Sequence, residues 1–166
     1  SIAVLVLLWL IRVSMQGDKQ PEKPVRGDEL EVWPFEPLPF MTPAEVRFFS
    51  QLQEALPEYY IFAQVQLSRL IQCNDPEDEK FWLNRINRMS ADYVVVHPDV
   101  QSVLAVVELD DWSHDRADRR RADDKKDKAI LSAGLPMVRF HTDHLPDTLQ
   151  VRFEILDAME DVAVTH

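Results

Sequence analysis

The sequence predicts an α/β domain whose mixed central sheet is flanked by helices. Residues 92–96 and 103–107 are dense in β-branched and aromatic side chains, which favour strands. The segment between them, residues 97–102, carries Pro98 and short polar residues, which favour an antiparallel return. Helix signals precede and follow this hairpin, and a strand, crossover helix and strand in one sheet are expected to be parallel. Together these features predict a mixed sheet with helices on its faces.

The first helix is predicted to run from Pro43 to about Leu56. Thr42 is a preferred N-cap residue, Pro43 suits the first helical position, and Glu45 completes a capping box. Apolar residues follow at spacings of three and four, which predicts one buried stripe: Val46, Phe49, Leu52 and Leu56.

The remaining elements follow from composition and helix stops. Residues 59–67 are rich in aromatic and apolar side chains and are predicted to form a strand. Residues 116–133 are predicted to form a long polar helix that stops at Gly134. Residues 135–140 predict a further strand and residues 145–159 a final helix, so the predicted order is α-β-β-β-α-β-α.

Three acidic residues of the hairpin predict a metal site. Side chains alternate along a strand, so Glu108 and Asp110 point to the same face. A register that sets Asp92 opposite Glu108 would gather three carboxylates there, although the sequence does not fix this register. Clustered carboxylates repel one another unless a cation or protons neutralise them, and hard oxygen ligands suit Mg²⁺ or Mn²⁺.

The competing interpretation is that these acids are solvated strand ends. That explanation is the commoner one for an arbitrary pair of strand-end acids. Glu108 argues against it, because it ends an apolar run that is expected to be buried, where a carboxylate rarely lies without a partner.

Several motifs together resemble a known family. The order α-β-β-β-α-β, with Asp92 on the second strand and Glu108-Leu109-Asp110 on the third, is similar to the PD-(D/E)XK, or restriction-endonuclease-like, superfamily. Over about residues 40–145 the chain more narrowly resembles the bacterial DUF2726 family, whose relatives include very-short-patch-repair-type endonucleases. The matching segments are residues 42–45, 62–65, 91–94 and 107–111, His114, Asp123 with Lys126, and residues 133–136.

The resemblance implies a restriction-endonuclease-like αβββαβ core with a divalent metal held by Asp92 and Glu108, and with Asp110 and the Leu109 carbonyl nearby. Such a metal polarises a phosphodiester and activates water. The chain departs from the superfamily at Asp110, where lysine is usual. Lys126 is the candidate replacement, and its alternative role is an ordinary solvated helix charge.

Further site candidates are weaker. His114 is a candidate general acid or base because imidazole titrates near neutral pH, and the alternative is a loop histidine with no role. Glu45, Gln64 and Asp123 match family positions and are accessory candidates, although the capping box alone accounts for Glu45.

The net charge of −11 opposes binding to a polyanion, so a nucleic-acid enzyme needs local basic compensation. Arginines and lysines flank the predicted site in sequence and could form a basic rim. Phe81 and Trp82 precede two of these arginines and could stack on bases, although core packing is the commoner role of such residues. The nucleic-acid-binding candidates are Arg85, Arg88, Arg116, Arg119 and Arg120, with Arg121, Lys125 and Lys126 beside them.

The N-terminal part of the chain predicts a tether. Residues 2–11 are an unbroken apolar run, shorter than the roughly 20 residues of a membrane span, so residues 1–14 are predicted to be a truncated transmembrane anchor. Residues 15–41 are rich in proline and charge and predict an extended linker to a domain at 42–166. Basic residues after the run favour a single-pass inner-membrane protein with its C-terminal domain in the cytoplasm. A signal peptide is the rival, but no small-residue cleavage pattern ends the run.

Composition and motifs exclude several classes of protein. The lone Cys73 cannot form an internal disulfide, and no Cys/His pairs stand at zinc-ligand spacing. No Gly-rich phosphate loop or Gly-x-Ser-x-Gly elbow is present, so NTPase and α/β-hydrolase readings have no support. Two functions remain: a membrane-tethered, metal-dependent DNA or RNA nuclease, or a catalytically inactive descendant that binds nucleic acid or protein.

Overall fold

The computed structural model describes residue 27, residues 32–111 and residues 117–163; for residues 117–122, 162 and 163 it describes the backbone alone. The chain divides between Leu38 and Pro39, and the helices and strands of the described residues lie in the C-terminal unit. In chain order they are α1 (Pro43–Ala55), β1 (Tyr60–Gln66), a 3-10 turn (Leu67–Arg69), α2 (Glu79–Ile86), β2 (Ser90–Val96), β3 (Val103–Asp110), α3 (Ala117–Ser132), β4 (Met137–His141), a second 3-10 turn (Thr142–His144) and α4 (Thr148–Ala163).

The four strands form one mixed sheet in the order β1-β2-β3-β4. The first two pairings are antiparallel, and β3 pairs with β4 in parallel. A parallel neighbour requires a crossover connection, and α3 supplies it between β3 and β4. The predicted hairpin and mixed sheet are therefore confirmed.

Helices cover both faces of the sheet, and each face has its own apolar core. On one face, Phe48 of α1 and Ile155 of α4 are buried against Tyr93 and Phe140 of the sheet. On the other face, Ile86 of α2 and Ile130 of α3 pack against Val94 and Val106. The alternation along β2 and β3 therefore sends odd-numbered core residues such as Tyr93 and Val107 towards α1 and α4, and Val94 and Val106 towards α2 and α3.

Helix α1 begins with the predicted capping box. The Thr42 hydroxyl accepts a hydrogen bond from the backbone N–H of Glu45 at 3.3 Å, and the Glu45 carboxylate accepts one from the Thr42 N–H at 2.6 Å. The predicted stripe is partly wrong, because Phe48, Leu52 and Ala55 form the buried face while Val46 is 47% exposed. On this buried face Phe48 contacts Tyr93, with ring centroids 5.6 Å apart.

Replacement of Thr42 by alanine is expected to lower the free energy of unfolding by about 1 kcal/mol, because the Glu45 N–H then loses its side-chain acceptor. Urea denaturation measures the change. Ser50→Ala removes a hydroxyl from the exposed face of the same helix, where it bonds the Val46 carbonyl, and is expected to change stability by less than about 0.5 kcal/mol. Equal losses in the two variants would contradict a capping role for Thr42.

Two elements differ from the sequence-based prediction. Helix α2 was not predicted, since it is short and its aromatic residues Phe81 and Trp82 remain about half exposed, so that its apolar face is limited to Leu83 and Ile86. The last helix begins at Thr148 rather than at Leu145, because the Asp147 carboxylate accepts the Gln150 N–H at 2.9 Å and caps it. The predicted stop of α3 is confirmed at Gly134, whose φ of 73° is a left-handed conformation that glycine adopts freely.

No helix within the described part of the chain is long and apolar enough to cross a membrane. The predicted anchor at residues 1–14 lies outside the described residues, as does most of the predicted linker. Within residues 32–41, large apolar side chains are exposed, Phe35 and Leu38 among them.

Candidate functional site

The carboxylates of Asp92, Glu108 and Asp110 belong to the sheet face that α3 covers. Tyr93 pairs with Val107, so one step further along the antiparallel register brings Asp92 to the level of Glu108. The Asp92 carboxylate accepts a hydrogen bond from the Leu109 N–H at 2.9 Å, which ties it to β3. The hairpin register that the metal-site prediction needed is therefore the one the strands adopt.

Glu108 is the buried centre of this face. It is 1% exposed, and one of its carboxylate oxygens forms an ion pair with the Lys126 ammonium from α3. The same ammonium donates to the Ser90 carbonyl at 3.4 Å. The other oxygen, Oε1, is buried and has no hydrogen-bond partner among the described residues. Such an oxygen carries a desolvation cost that a ligand or a proton would relieve.

The environment of Glu108 raises its pKa to about 7. Burial is the largest cause, because it disfavours the charged carboxylate, and the nearby Asp92 carboxylate adds to the increase. Lys126 opposes the increase through its charge and its hydrogen bond. Glu108 is thus poised to change protonation near neutral pH, or to exchange its proton for a cation.

Asp110 lies on the same face but has a different partner. The Arg139 guanidinium, from the neighbouring parallel strand β4, donates to Asp110 at 2.7 Å and also pairs with Asp127 of α3. The two carboxylates raise the pKa of Arg139 above its ordinary value against the opposing effect of burial. Asp110 is therefore neutralised by a guanidinium beside the Glu108–Lys126 pair.

The predicted Mg²⁺ or Mn²⁺ requires several oxygen ligands arranged around one point. Within residues 32–111 and the described part of 117–163, no group of three or more His, Cys, Asp and Glu side chains is arranged to hold a metal ion. Two features nevertheless fit a hard cation: Glu108 has a buried oxygen without a partner, and Asp92 adds a second carboxylate beside it. Asp92 and Glu108 are thus the two residues present that fit the ion, with Asp110 engaged by Arg139.

A hydrogen-bonded chain links the predicted accessory residues to this cluster. The Gln64 amide donates to the Glu45 carboxylate at 3.0 Å, and the Ser90 hydroxyl lies 3.4 Å from the Gln64 side-chain oxygen. Ser90 in turn offers its carbonyl to Lys126. Gln64 has a φ of 53°, an uncommon left-handed conformation within β1. Glu45 therefore serves both the capping box and this chain.

Other predicted site residues are placed further from the cluster or outside the described residues. Asp123 lies half-buried on α3, one turn before Lys126, and makes no hydrogen bond to Lys126 or Glu108 in the structure. Arg85 and Arg88 are exposed on and after α2. His114 and Arg116 fall outside the described residues, and Arg119 and Arg120 lie on α3 where only the backbone is described.

Sequence analysis missed Arg139, Asp127 and Ser90. Arg139 carried a usable signal, because a charge inside the apolar strand 137–141 is as unusual as Glu108 at the end of β3. Asp127 was hidden in a charge-rich helix, and Ser90 acts through its backbone carbonyl, which no side-chain pattern reveals.

A comparison with protein families confirms the DUF2726 part of the resemblance. A family described as "Protein of unknown function (DUF2726)" matches residues 38–159. A search of curated proteins and a search of solved structures each gave no match. The family match covers the sheet, helices α1 to α3, most of α4 and every described residue of the candidate site. The chain therefore belongs to the DUF2726 family.

Proposed function

We propose that the domain is a divalent-metal-dependent phosphodiesterase, a DNA or RNA nuclease of the PD-(D/E)XK type. The observation that carries the proposal is the contact between Lys126 and the buried Glu108, next to Asp92. Two carboxylates and one ammonium on a sheet face are the set such a nuclease uses. Lys126 brings from α3 the positive charge that Asp110 cannot supply.

In this proposal Asp92 and Glu108 hold Mg²⁺ or Mn²⁺. When bound, the metal supplies Lewis-acid polarisation of the phosphodiester and lowers the pKa of an attacking water. Lys126 first neutralises Glu108, and its ammonium then stabilises the negative charge that develops on the phosphate. The sheet excludes water from the Glu108 side of the site, which strengthens these electrostatic interactions.

The surrounding residues orient this set. The Leu109 N–H fixes one Asp92 oxygen, and the Ser90 carbonyl guides the Lys126 ammonium. Arg139 removes the Asp110 charge from the site, so that fewer carboxylates repel the phosphate. His114 is proposed as general acid or base on the sequence alone.

Residues 1–14 are proposed to tether the domain to the cytoplasmic side of the inner membrane, supported by the apolar run 2–11 and the basic residues after it.

A second candidate function is a binding module without catalysis. Its support is that Lys126 forms an ion pair with one Glu108 oxygen and Arg139 forms one with Asp110. Fewer carboxylate oxygens are then free than a metal site normally has. The net charge of −11 also opposes a polyanionic substrate. In this case nucleic acid or a protein would bind the domain without being cleaved.

A cleavage assay separates the two functions. Labelled single- and double-stranded DNA and RNA are incubated with the full chain and Mg²⁺ or Mn²⁺, and EDTA is expected to abolish product formation. Asp92→Asn is expected to lower the cleavage rate at least about 100-fold, because a neutral amide is a poor ligand for a hard cation. The matched control is Asp157→Asn, which removes an exposed acid from α4 on the opposite layer and should retain the wild-type rate. Cleavage that survives EDTA or Asp92→Asn would contradict the proposed metal mechanism, and binding without cleavage would favour the second function.

A further inference from the structure

A cavity of about 590 Å³ lies beside the candidate site, between α2, α3 and residues 71–73. Its volume falls within the range of ligand pockets, about 300–1,000 Å³. Apolar side chains form part of its lining, including Ile71, Leu83 and Ala129. None of these residues belongs to the carboxylate cluster. The cavity is thus a concave feature separate from the proposed catalytic groups.

One wall of the cavity is aromatic and cationic. Trp82 lines it and is 48% exposed, with its ring edge-on to Phe81 at a centroid distance of 5.1 Å. The Arg85 guanidinium carbon lies 4.6 Å from the Phe81 ring centroid and 5.6 Å from that of Trp82. Arg85 also lines the cavity, so its cation–π contacts with the two rings position the guanidinium at this wall. Flat, π-rich surfaces of this kind stack on nucleobases.

Three cations line the cavity in a chain whose net charge is −11. Arg85, Lys125 and Lys128 form no ion pair with a carboxylate among the described residues. Asp127, which lies between these two lysines on α3, is paired with Arg139. Unpaired positive charge around an apolar floor is complementary to a ligand with a flat ring and a phosphate.

We infer that this cavity receives an unpaired nucleotide of a single-stranded nucleic acid, with its base against Trp82 and its phosphates at Lys125 and Lys128. A base inside an intact duplex is stacked and paired, so it cannot enter a pocket of this kind without being extruded. Single strands offer both the free ring face and the phosphate charge. The inference rests on the proposed nuclease function and adds its substrate class, a single strand or an unpaired region.

Helix α3 couples the cavity to the candidate site. Lys125 lines the cavity and Lys126, the next residue, reaches Glu108. Successive residues of a helix rise by only about 1.5 Å, so the two features flank the same turn of α3. A strand anchored in the cavity therefore keeps its neighbouring nucleotides beside the carboxylates.

Binding of a fluorescent oligo-dT by the full chain in EDTA, followed by anisotropy, tests the cavity without depending on cleavage. Trp82→Ala is expected to weaken binding about tenfold, because one stacked base is lost. Lys125→Ala and Lys128→Ala are each expected to reduce the salt-dependence slope by about 0.7. The control Arg47→Ala removes an exposed cation from α1, across the sheet, and should leave affinity within about twofold of wild type. Unchanged affinity in all three cavity variants would overturn the inference.

Cys73 gives a second readout that needs no substitution. It lines the cavity and is the chain's one cysteine, so its alkylation by a small maleimide reports on this place alone. Saturating oligo-dT is expected to slow the alkylation of Cys73 at least about fivefold. Duplex DNA at the same concentration is expected to leave the rate unchanged. Equal labelling rates with and without bound oligo-dT would overturn the inference.

These assays also distinguish the two proposals. If the oligonucleotide protects Cys73 but no metal supports cleavage, the cavity inference stands and the nuclease proposal fails. If Asp92→Asn abolishes metal-dependent cleavage while Cys73 stays fully reactive in the complex, the cavity inference fails and the nuclease proposal stands.

Discussion

Lys126→Met is expected to destabilise the domain by about 3–5 kcal/mol near pH 8, because it leaves Glu108 buried without its partner. Methionine keeps most of the aliphatic length, so the loss reports on charge rather than on packing. The same change removes the proposed phosphate-facing ammonium, and any metal-dependent cleavage is expected to fall about 1,000-fold. Urea denaturation gives the first value and a cleavage assay on the folded fraction gives the second.

The destabilisation by Lys126→Met is expected to shrink at low pH. Below about pH 4.5 Glu108 is protonated in the folded and the unfolded chain alike, and a neutral carboxyl needs no ammonium. Without Lys126 the pKa of folded Glu108 rises further, so the variant continues to lose stability above pH 7, where the wild type has levelled off. Lys80→Met, at an exposed lysine of α2, should cost less than about 0.5 kcal/mol at every pH. A pH-independent loss in Lys126→Met would contradict the ion pair as its cause.

Glu108→Gln is expected to remove a pH dependence of stability that the wild type shows. The pKa of Glu108 is about 7 when folded, against 4.5 ordinarily, so the folded state binds the proton more tightly. This contribution to the free energy of unfolding is fully present below about pH 4.5 and is lost as pH rises through 7, a total of roughly 3 kcal/mol. The glutamine variant lacks the titrating group, and its profile should lack this decline over the same window.

Metal addition gives the same variant a second expected result. Saturating Mg²⁺ or Mn²⁺ is expected to stabilise the wild type above pH 7, because a cation that binds only the folded state shifts the unfolding equilibrium. Glu108→Gln should show no such stabilisation, since an amide cannot supply the anionic oxygen. Glu160→Gln, an exposed acid on α4, serves as the control. If the metal stabilises the wild type, Glu108→Gln and Glu160→Gln equally, the cation does not bind at Glu108.

Much of the architecture was predictable because its signals are local. The capping box at Thr42 and Glu45, the hairpin around Pro98 and the stop at Gly134 each depend on neighbouring residues, and all are present. The hairpin register was not predictable from the strands' own composition, since apolar residues fill both faces of β2. Helix α2 was not predicted because its apolar pattern is too weak: only Leu83 and Ile86 pack against the core, while Phe81 and Trp82 are about half exposed.

The sequence predicts which residues form the candidate site better than it predicts which partners they bind. Asp92, Glu108 and Lys126 were identified from the sequence and lie together. That Arg139 would engage Asp110 depends on the parallel alignment of β4 with β3, which sets Glu108 beside Arg139 and Asp110 beside His141. This alignment is set by the length and packing of the α3 crossover, which no motif in either strand encodes.

The parallel pairing of β3 with β4 also predicts an order of folding events. Strands β2 and β3 pair through the short connection 97–102, whereas β4 follows the long connection 111–136 and is expected to dock once α3 has crossed the sheet. The crossover helix carries Lys126, so the ammonium arrives in the same step that covers Glu108. In the isolated β2–β3 hairpin, the carboxylates are therefore expected to stay hydrated until Lys126 packs against them. We therefore expect the dehydration of Glu108, its neutralisation by Lys126 and the closure of the core beneath α2 and α3 to occur together, late in folding.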